Sequence, residues 1–161
     1  MGQENNHGEI LSSWTLALIS PTAPVPSSPP PVASVNTLTE LRGHISVIHA
    51  SSLFHFFNEE KQFELGKCLK VLFYPCPGSI IFGSRRGMPV KGQRHGVFQK
   101  MFCDSPEPWT QLWGEQIFGK GQVKVNTISR EINMAAEKLE RAAPVEEEAE
   151  NYSLAWSTDR L

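Results

Sequence analysis

Glycine is scarce at the start of this chain: before Gly43 only Gly2 and Gly8 occur. Residues 1–42 therefore lack the glycine-rich turn with which an open parallel sheet usually receives a nucleotide-like cofactor. Cysteine is scarce as well. Cys68, Cys76 and Cys103 are too few and too irregularly spaced for a disulfide framework or a zinc site, and they read as reduced thiols. Basic excess is missing: 15 Lys and Arg stand against 17 Asp and Glu, a formal net charge of -2. Nothing is left over to neutralise a phosphate backbone, so nucleic acid is not an expected partner. Long apolar runs are missing too, since Trp14–Ile19 falls far short of the roughly 20 residues a membrane span needs. The residues before it carry Glu4 and Glu9 and no lysine or arginine, unlike a secretory signal. No membrane association and a cytoplasmic location are the resulting expectations.

What the chain does contain is ordinary for one globular domain: 161 residues, 40% of them hydrophobic and 20% charged. From Ser20 to Ser34 it is mostly proline, serine, alanine and valine, with prolines at 21, 24, 26, 29, 30 and 31. Such a segment lacks amide donors and apolar bulk and favours extended conformations. Residues 1–36 are therefore expected to be a disordered or loosely attached tail, and 37–161 the domain. A docking role for the prolines against an aromatic groove is the alternative reading of the tail.

The stretch Ile45–Gly83 reads as one strand, helix, strand unit of the kind that builds a parallel sheet. Thr37 can cap a short turn through Leu41, which Gly43 ends. Ile45–Ala50 then supplies the branched apolar residues of a strand buried on both faces. Asn58 is a suitable N-cap, Glu59 and Glu60 suit the positive end of the helix dipole, and Lys67 and Lys70 suit the negative end. Phe63, Cys68 or Leu69, and Leu72 recur at helical spacing, and Pro75 and Pro77 stop the helix. Ser79–Gly83 should then lie parallel to the first strand. Ligands of open parallel sheets bind beyond the carboxyl ends of the strands, which singles out His49–His55 and Gly83–Gly87.

Residues 83–96 read as a glycine-rich basic loop. Ser105-Pro106-Glu107 opens a short helix with Trp109, Leu112 and Trp113 on one face. Val123 and Val125 alternate with polar residues in a strand near 122–131, and Tyr152, Leu154 and Trp156 alternate in a last one. These two late strands are expected to pair antiparallel at a sheet edge, with the acidic connection 135–150 in solvent.

Several blocks, taken in order, carry a family likeness: Leu41–Phe57, Pro77–Gly83, Met101–Glu107 and Leu154–Ser157. Over roughly residues 38–161 the chain resembles the C-terminal half of fungal class I S-adenosylmethionine-dependent methyltransferases of secondary metabolism, nearest in type to the O-methyltransferases of meroterpenoid pathways. The resemblance implies an α/β fold, a partial Rossmann-like sheet with antiparallel C-terminal strands, in which Ile45–Ala50 is the fourth strand and Ser79–Gly83 the fifth. It implies S-adenosyl-L-methionine as cofactor and, as substrate, a small hydrophobic acid or alcohol methylated on a carboxyl or hydroxyl. It places the cofactor against His49, Ala50 and Ser51, with Ser34 and Val35 at the position the family uses beside the adenine. The family's first strand, its Asp-Leu-Gly-like turn and its ribose-binding acid have no counterpart in this sequence.

Histidine can take a proton near neutral pH, which makes His55 the candidate general base for a hydroxyl acceptor; a carboxyl acceptor is already ionised and needs only positioning. Packing is the competing role for His49 and His55. Arg85, Arg86 and Arg94 are candidates for holding an acidic substrate, against the commoner fate of solvated loop arginines. Phe54, Phe56, Phe57, Trp109 and Trp113 suit either an apolar pocket or the core, and the core is the stronger reading. Two functions follow: an O-methyltransferase, or a truncated and inactive relative that persists as a binding protein or gene remnant. Half a parallel sheet leaves one strand edge unpaired and one apolar face uncovered, so a sticky or homodimeric product is expected.

Overall fold

The structure is a computed structural model that describes residues 25, 27–95, 100–132 and 152–161. Of the expected tail, residues 27–36 hold one 3-10 turn, Val32–Ser34, and residues 1–24 and 26 lie outside the described residues, as does the connection 135–150.

The strand–helix–strand unit forms as its sequence dictates. Glu40 accepts a hydrogen bond from the Thr37 amide at 3.1 Å, closing the turn Leu38–Leu41, and Gly43 follows at φ 68°. Strand β1 is Val47–His49, shorter than the apolar run, because Ile45 pairs instead with Phe73 at the end of the following helix. That helix, α1 (Glu59–Leu72), starts where Asn58 Oδ1 accepts from the Lys61 amide at 2.9 Å. It buries Gln62, Leu65, Gly66, Leu69 and Leu72. Strand β2 then runs parallel to β1, with Val47 opposite Ile80 and His49 opposite Phe82.

β2 spans Ile80–Gly87, so the first third of the expected loop is strand. Two features hid this. The inward positions Gly83, Arg85 and Gly87 are not apolar, and the partner that pairs with all eight residues is the C-terminal strand, 65 or more residues away in sequence. The rest of that stretch enters a small hairpin, β3 (Gly92–His95) with β4 (Lys100–Cys103).

Beyond β4, Pro106–Gln111 forms α2 and continues into a wider π-helical stretch, Leu112–Ile117. Strands β5 (Val123–Glu131) and β6 (Tyr152–Arg160) pair antiparallel, as expected. β6 is nevertheless interior, between β2 and β5, and the sheet order is β1-β2-β6-β5. The result is a mixed α/β fold with one mixed sheet.

The core lies on the sheet face covered by α1 and α2. Ile81, Leu154, Trp156 and Val123 project from the strands against Leu65, Leu69, Trp109, Trp113 and Ile117. Phe54, Trp109, Trp113 and Trp156 form its aromatic centre, with Trp113 stacked on Trp156 at 5.0 Å. Core packing is thus the role of Phe54, Phe57, Trp109 and Trp113, whereas Phe56 is exposed. The helices approach closely because Gly66 has no side chain: a Cβ there would lie 2.3 Å from Ile117 Cδ1. Among the described residues no helix is long and apolar enough to cross a membrane.

Candidate functional site

Past the carboxyl end of β1 the chain turns against β2 at a distance that only small residues permit. After His49 the ladder continues, the Ala50 amide donating to Phe82 O and the Ser52 amide to Ser84 O, both at 2.8 Å. The approach is so close that a Cβ on Gly83 would lie 2.5 Å from Ala50 O. Ser52 turns the chain in the left-handed region at φ 53°, a conformation that costs free energy in a residue other than glycine.

This turn brings together three of the expected site residues. Ser51 Oγ lies 2.7 Å from His49 Nε2 and accepts from the Ser84 amide at 3.0 Å. The His49 ring is stacked on Phe82 at 5.0 Å, and both are exposed. Ala50 is buried in the hydrophobic core. Ser34 and Val35 are elsewhere, on a turn upstream of Leu38–Leu41, which packs with Cys68 and Leu72 of α1. Ser34 Oγ is spent on Pro31 O at 2.8 Å.

His55 sits in the short 3-10 turn Phe54–Phe56, which is anchored by the fully buried Phe54. It is half-buried, and its Nδ1 is buried without a hydrogen-bond partner. Burial, then the charges of Arg85 and Arg86, hold its imidazole below the ordinary histidine value, so the ring is neutral at pH 7.

Arg85 corrects the sequence expectation of a substrate-holding loop arginine. Its side chain is fully buried and already committed: Nη1 donates to Gln62 Oε1 at 2.6 Å and Asp104 Oδ2 at 3.0 Å, and Nη2 to Phe102 O at 2.7 Å. The guanidinium lies over Trp109, 4.6 Å from the ring centre. Burial works against both charges, raising Asp104 and lowering Arg85, while their direct pairing resists both shifts. Lys91, paired with Glu59, lies 4.0 Å from the second Asp104 oxygen. Beside this network is a cavity of about 50 Å³, room for a water rather than a substrate, lined by Gln62, Lys91, Phe102 and Asp104 among others.

Sequence reasoning missed Gln62 and Asp104, and it singled out the stretch Gly83–Gly87 without naming Ser84. Ser84 was findable in principle, being two residues beyond Phe82 on the same strand face. Asp104 lay within a block singled out for its likeness, but nothing local links it to Arg85. Burial raises the thiol of Cys103 above its ordinary value, and among the described residues no group of His, Cys, Asp and Glu is placed to hold a metal ion.

No family model matches the chain, and no solved structure matches it. Part of it is similar to O-methyltransferase phiE of a fungal species (strain ATCC 74256), 36% identical over 78 residues. The match takes in 47% of this chain and 26% of that protein, so the chain spans about a quarter of the relative's length. This similarity relates the chain to an O-methyltransferase.

Proposed function

We propose that the chain contributes to an S-adenosylmethionine-dependent O-methyltransferase of fungal secondary metabolism, acting on a carboxyl or hydroxyl of a small hydrophobic intermediate of a terpenoid or meroterpenoid pathway. The observation that carries this reading is the 36% identity to a fungal O-methyltransferase over 78 residues. Strand order adds support: a final strand antiparallel to both its neighbours, beside a parallel pair, is what a partial class I methyltransferase sheet requires.

The residues at the carboxyl end of β1 fit one wall of a cofactor site. The exposed His49 ring on its Phe82 shelf offers a flat surface and the fixed Ser51 hydroxyl a polar contact, whereas Ala50, buried in the core, is assigned to the cofactor by the resemblance alone. Ser34 and Val35 are assigned to the adenine side by the resemblance alone. When bound, S-adenosylmethionine would supply an electrophilic methyl group, and His49 and Ser51 are the residues that would lie against it. The chain's part is then to hold and orient. For a hydroxyl acceptor, neutral His55 is the group that takes the proton.

A second reading, an inactive relative that binds a partner, is favoured by the edge of β1. Ser46 and Ala50 bond towards β2, so the backbone groups of Val47 and His49 face a side with no described strand. Calorimetric titration of the full chain with S-adenosylmethionine and S-adenosylhomocysteine separates the two. Saturable micromolar binding supports the enzyme; no binding by a sample shown to be folded overturns it.

A further inference from the structure

Val47, His49 and Ser51 alternate along β1 and its extension and so share one face of the sheet, opposite Ile48 and the core residue Ala50. On that face Ser51 Oγ and His49 Nε2 are 2.7 Å apart. The other two groups at the hydroxyl oxygen are donors, the Ser84 amide at 3.0 Å and the Ser84 hydroxyl at 3.4 Å. With both donating to the oxygen, the proton of Ser51 has His49 Nε2 as its acceptor, and a neutral imidazole then carries its own proton on Nδ1. A serine whose proton is directed at an imidazole, and whose oxygen is met by an amide N–H, has the pairing that activates a weak hydroxyl nucleophile.

The surroundings suit a covalent role. Phe82 holds the imidazole by stacking on it, 5.0 Å away at an interplanar angle of 22°, while the ring stays exposed to solvent. Ser51 is half-buried, and the chain is fixed on both sides of it, the Ala50 amide on Phe82 O and the Ser52 amide on Ser84 O. Ladder alternation turns the amide between them, that of Ser51, to the free edge of β1, where it has no backbone partner among the described residues. The amide of the nucleophile's own residue is one of the donors that serine enzymes aim at the oxyanion. Val47 and Phe82, the neighbours of His49 along and across the sheet, are 58% and 37% exposed and offer apolar ground for an acyl chain.

We propose that Ser51 and His49 form a nucleophile–base pair that cleaves small uncharged carboxylic esters with a short apolar acyl group. Ser51 Oγ attacks the ester carbonyl carbon as His49 Nε2 takes its proton, and the Ser51 amide meets the oxyanion. Collapse breaks the bond to the alcohol oxygen, which leaves with the proton from His49, and an ester on Ser51 remains. Water that gives a proton to the same nitrogen then attacks this ester, releasing the carboxylic acid and restoring the serine. Among the described residues no carboxylate pairs with His49, so turnover is slow and the acylated chain accumulates. The activity is separate from methyl transfer and needs no methyl donor.

The test uses the full chain without S-adenosylmethionine. It is mixed with p-nitrophenyl butyrate, release of p-nitrophenol is followed, and the chain is analysed by intact mass and peptide mapping. The expected result is a burst approaching about one p-nitrophenol per chain, with one butyryl group mapped to Ser51. His49→Gln should slow the burst roughly hundredfold, and Ser51→Ala should abolish both burst and label, with circular dichroism confirming the fold. In the wild-type chain, a butyryl group on any residue other than Ser51 overturns the proposal without any variant having to fold. Equal labelling of the urea-unfolded chain overturns it too, as does an unchanged burst in His49→Gln.

Discussion

Asp104→Asn removes the charge that faces Arg85 while keeping the shape of the side chain. In the native chain the guanidinium is fully buried and bonded to one carboxylate, one amide oxygen and two carbonyls. The variant leaves a buried cation with only neutral acceptors. Breaking a buried pair from one side costs about 3–5 kcal/mol, and the surviving acceptors Gln62 Oε1, Phe102 O and Arg86 O put this case near the lower end. Against a typical total of about 5–15 kcal/mol, that is a large share of the stability. For a domain of this size it corresponds to a fall in Tm on the order of 10 °C. Urea unfolding followed by tryptophan fluorescence is a suitable assay, since the Trp109 ring centre is 4.6 Å from the guanidinium. The companion variant Arg85→Met/Asp104→Leu removes both charges together and should recover most of the loss, because apolar replacement of a buried pair is often near neutral. A cost below about 1 kcal/mol for the single variant would refute the reasoning. So would a double variant as unstable as the single one.

Asn58→Ala removes the acceptor that caps α1 and should cost about 1 kcal/mol in a thermal melt, with Asn58→Gly losing only a few tenths. Gly83→Ala places a methyl 2.5 Å from Ala50 O and 2.7 Å from Ala50 C, backbone atoms that cannot yield without separating β1 from β2. A loss of about 1–3 kcal/mol or failure to fold is expected, while Gly92→Ala, in open space, serves as the unaffected control. His55 has a folded pKa below its ordinary 6.5, so the unfolded chain binds the extra proton more readily. Stability should be fully present above pH 6.5 and lost as pH falls through the lowered folded value. Urea midpoints compared between wild type and His55→Gln should show this acid-side slope in the wild type and a flatter one in the variant; identical slopes would remove His55 from the account.

The readable parts of the fold were those whose signals are local. Asn58 announces its helix because the acceptor and the amide it caps are three residues apart. The branched residues of Ile45–Ala50 and the alternation at Val123, Leu154 and Trp156 report strands whose buried faces are built by nearest neighbours. β2 was only half readable, since its second half is held by β6, and Gly83, Arg85 and Gly87 carry no apolar signature. The same limit applies to the site. His49, Ala50 and Ser51 follow one strand directly and could be placed together from sequence, whereas the partner that fixes Ser51 is an amide 33 residues on.

Arg85 and Arg86 show how sharply neighbours in sequence can differ in chemistry. A run of two arginines in a loop would leave both free to meet solvent or a ligand, and their roles would be interchangeable. Once the run is a strand, the period of two assigns one side chain to each face. Arg85 falls on the face that α1 and the aromatic centre cover, and a buried cation persists there because Asp104 and three neutral oxygens converge on it. That convergence takes up Asp104, and among the described residues Arg86 has no carboxylate partner.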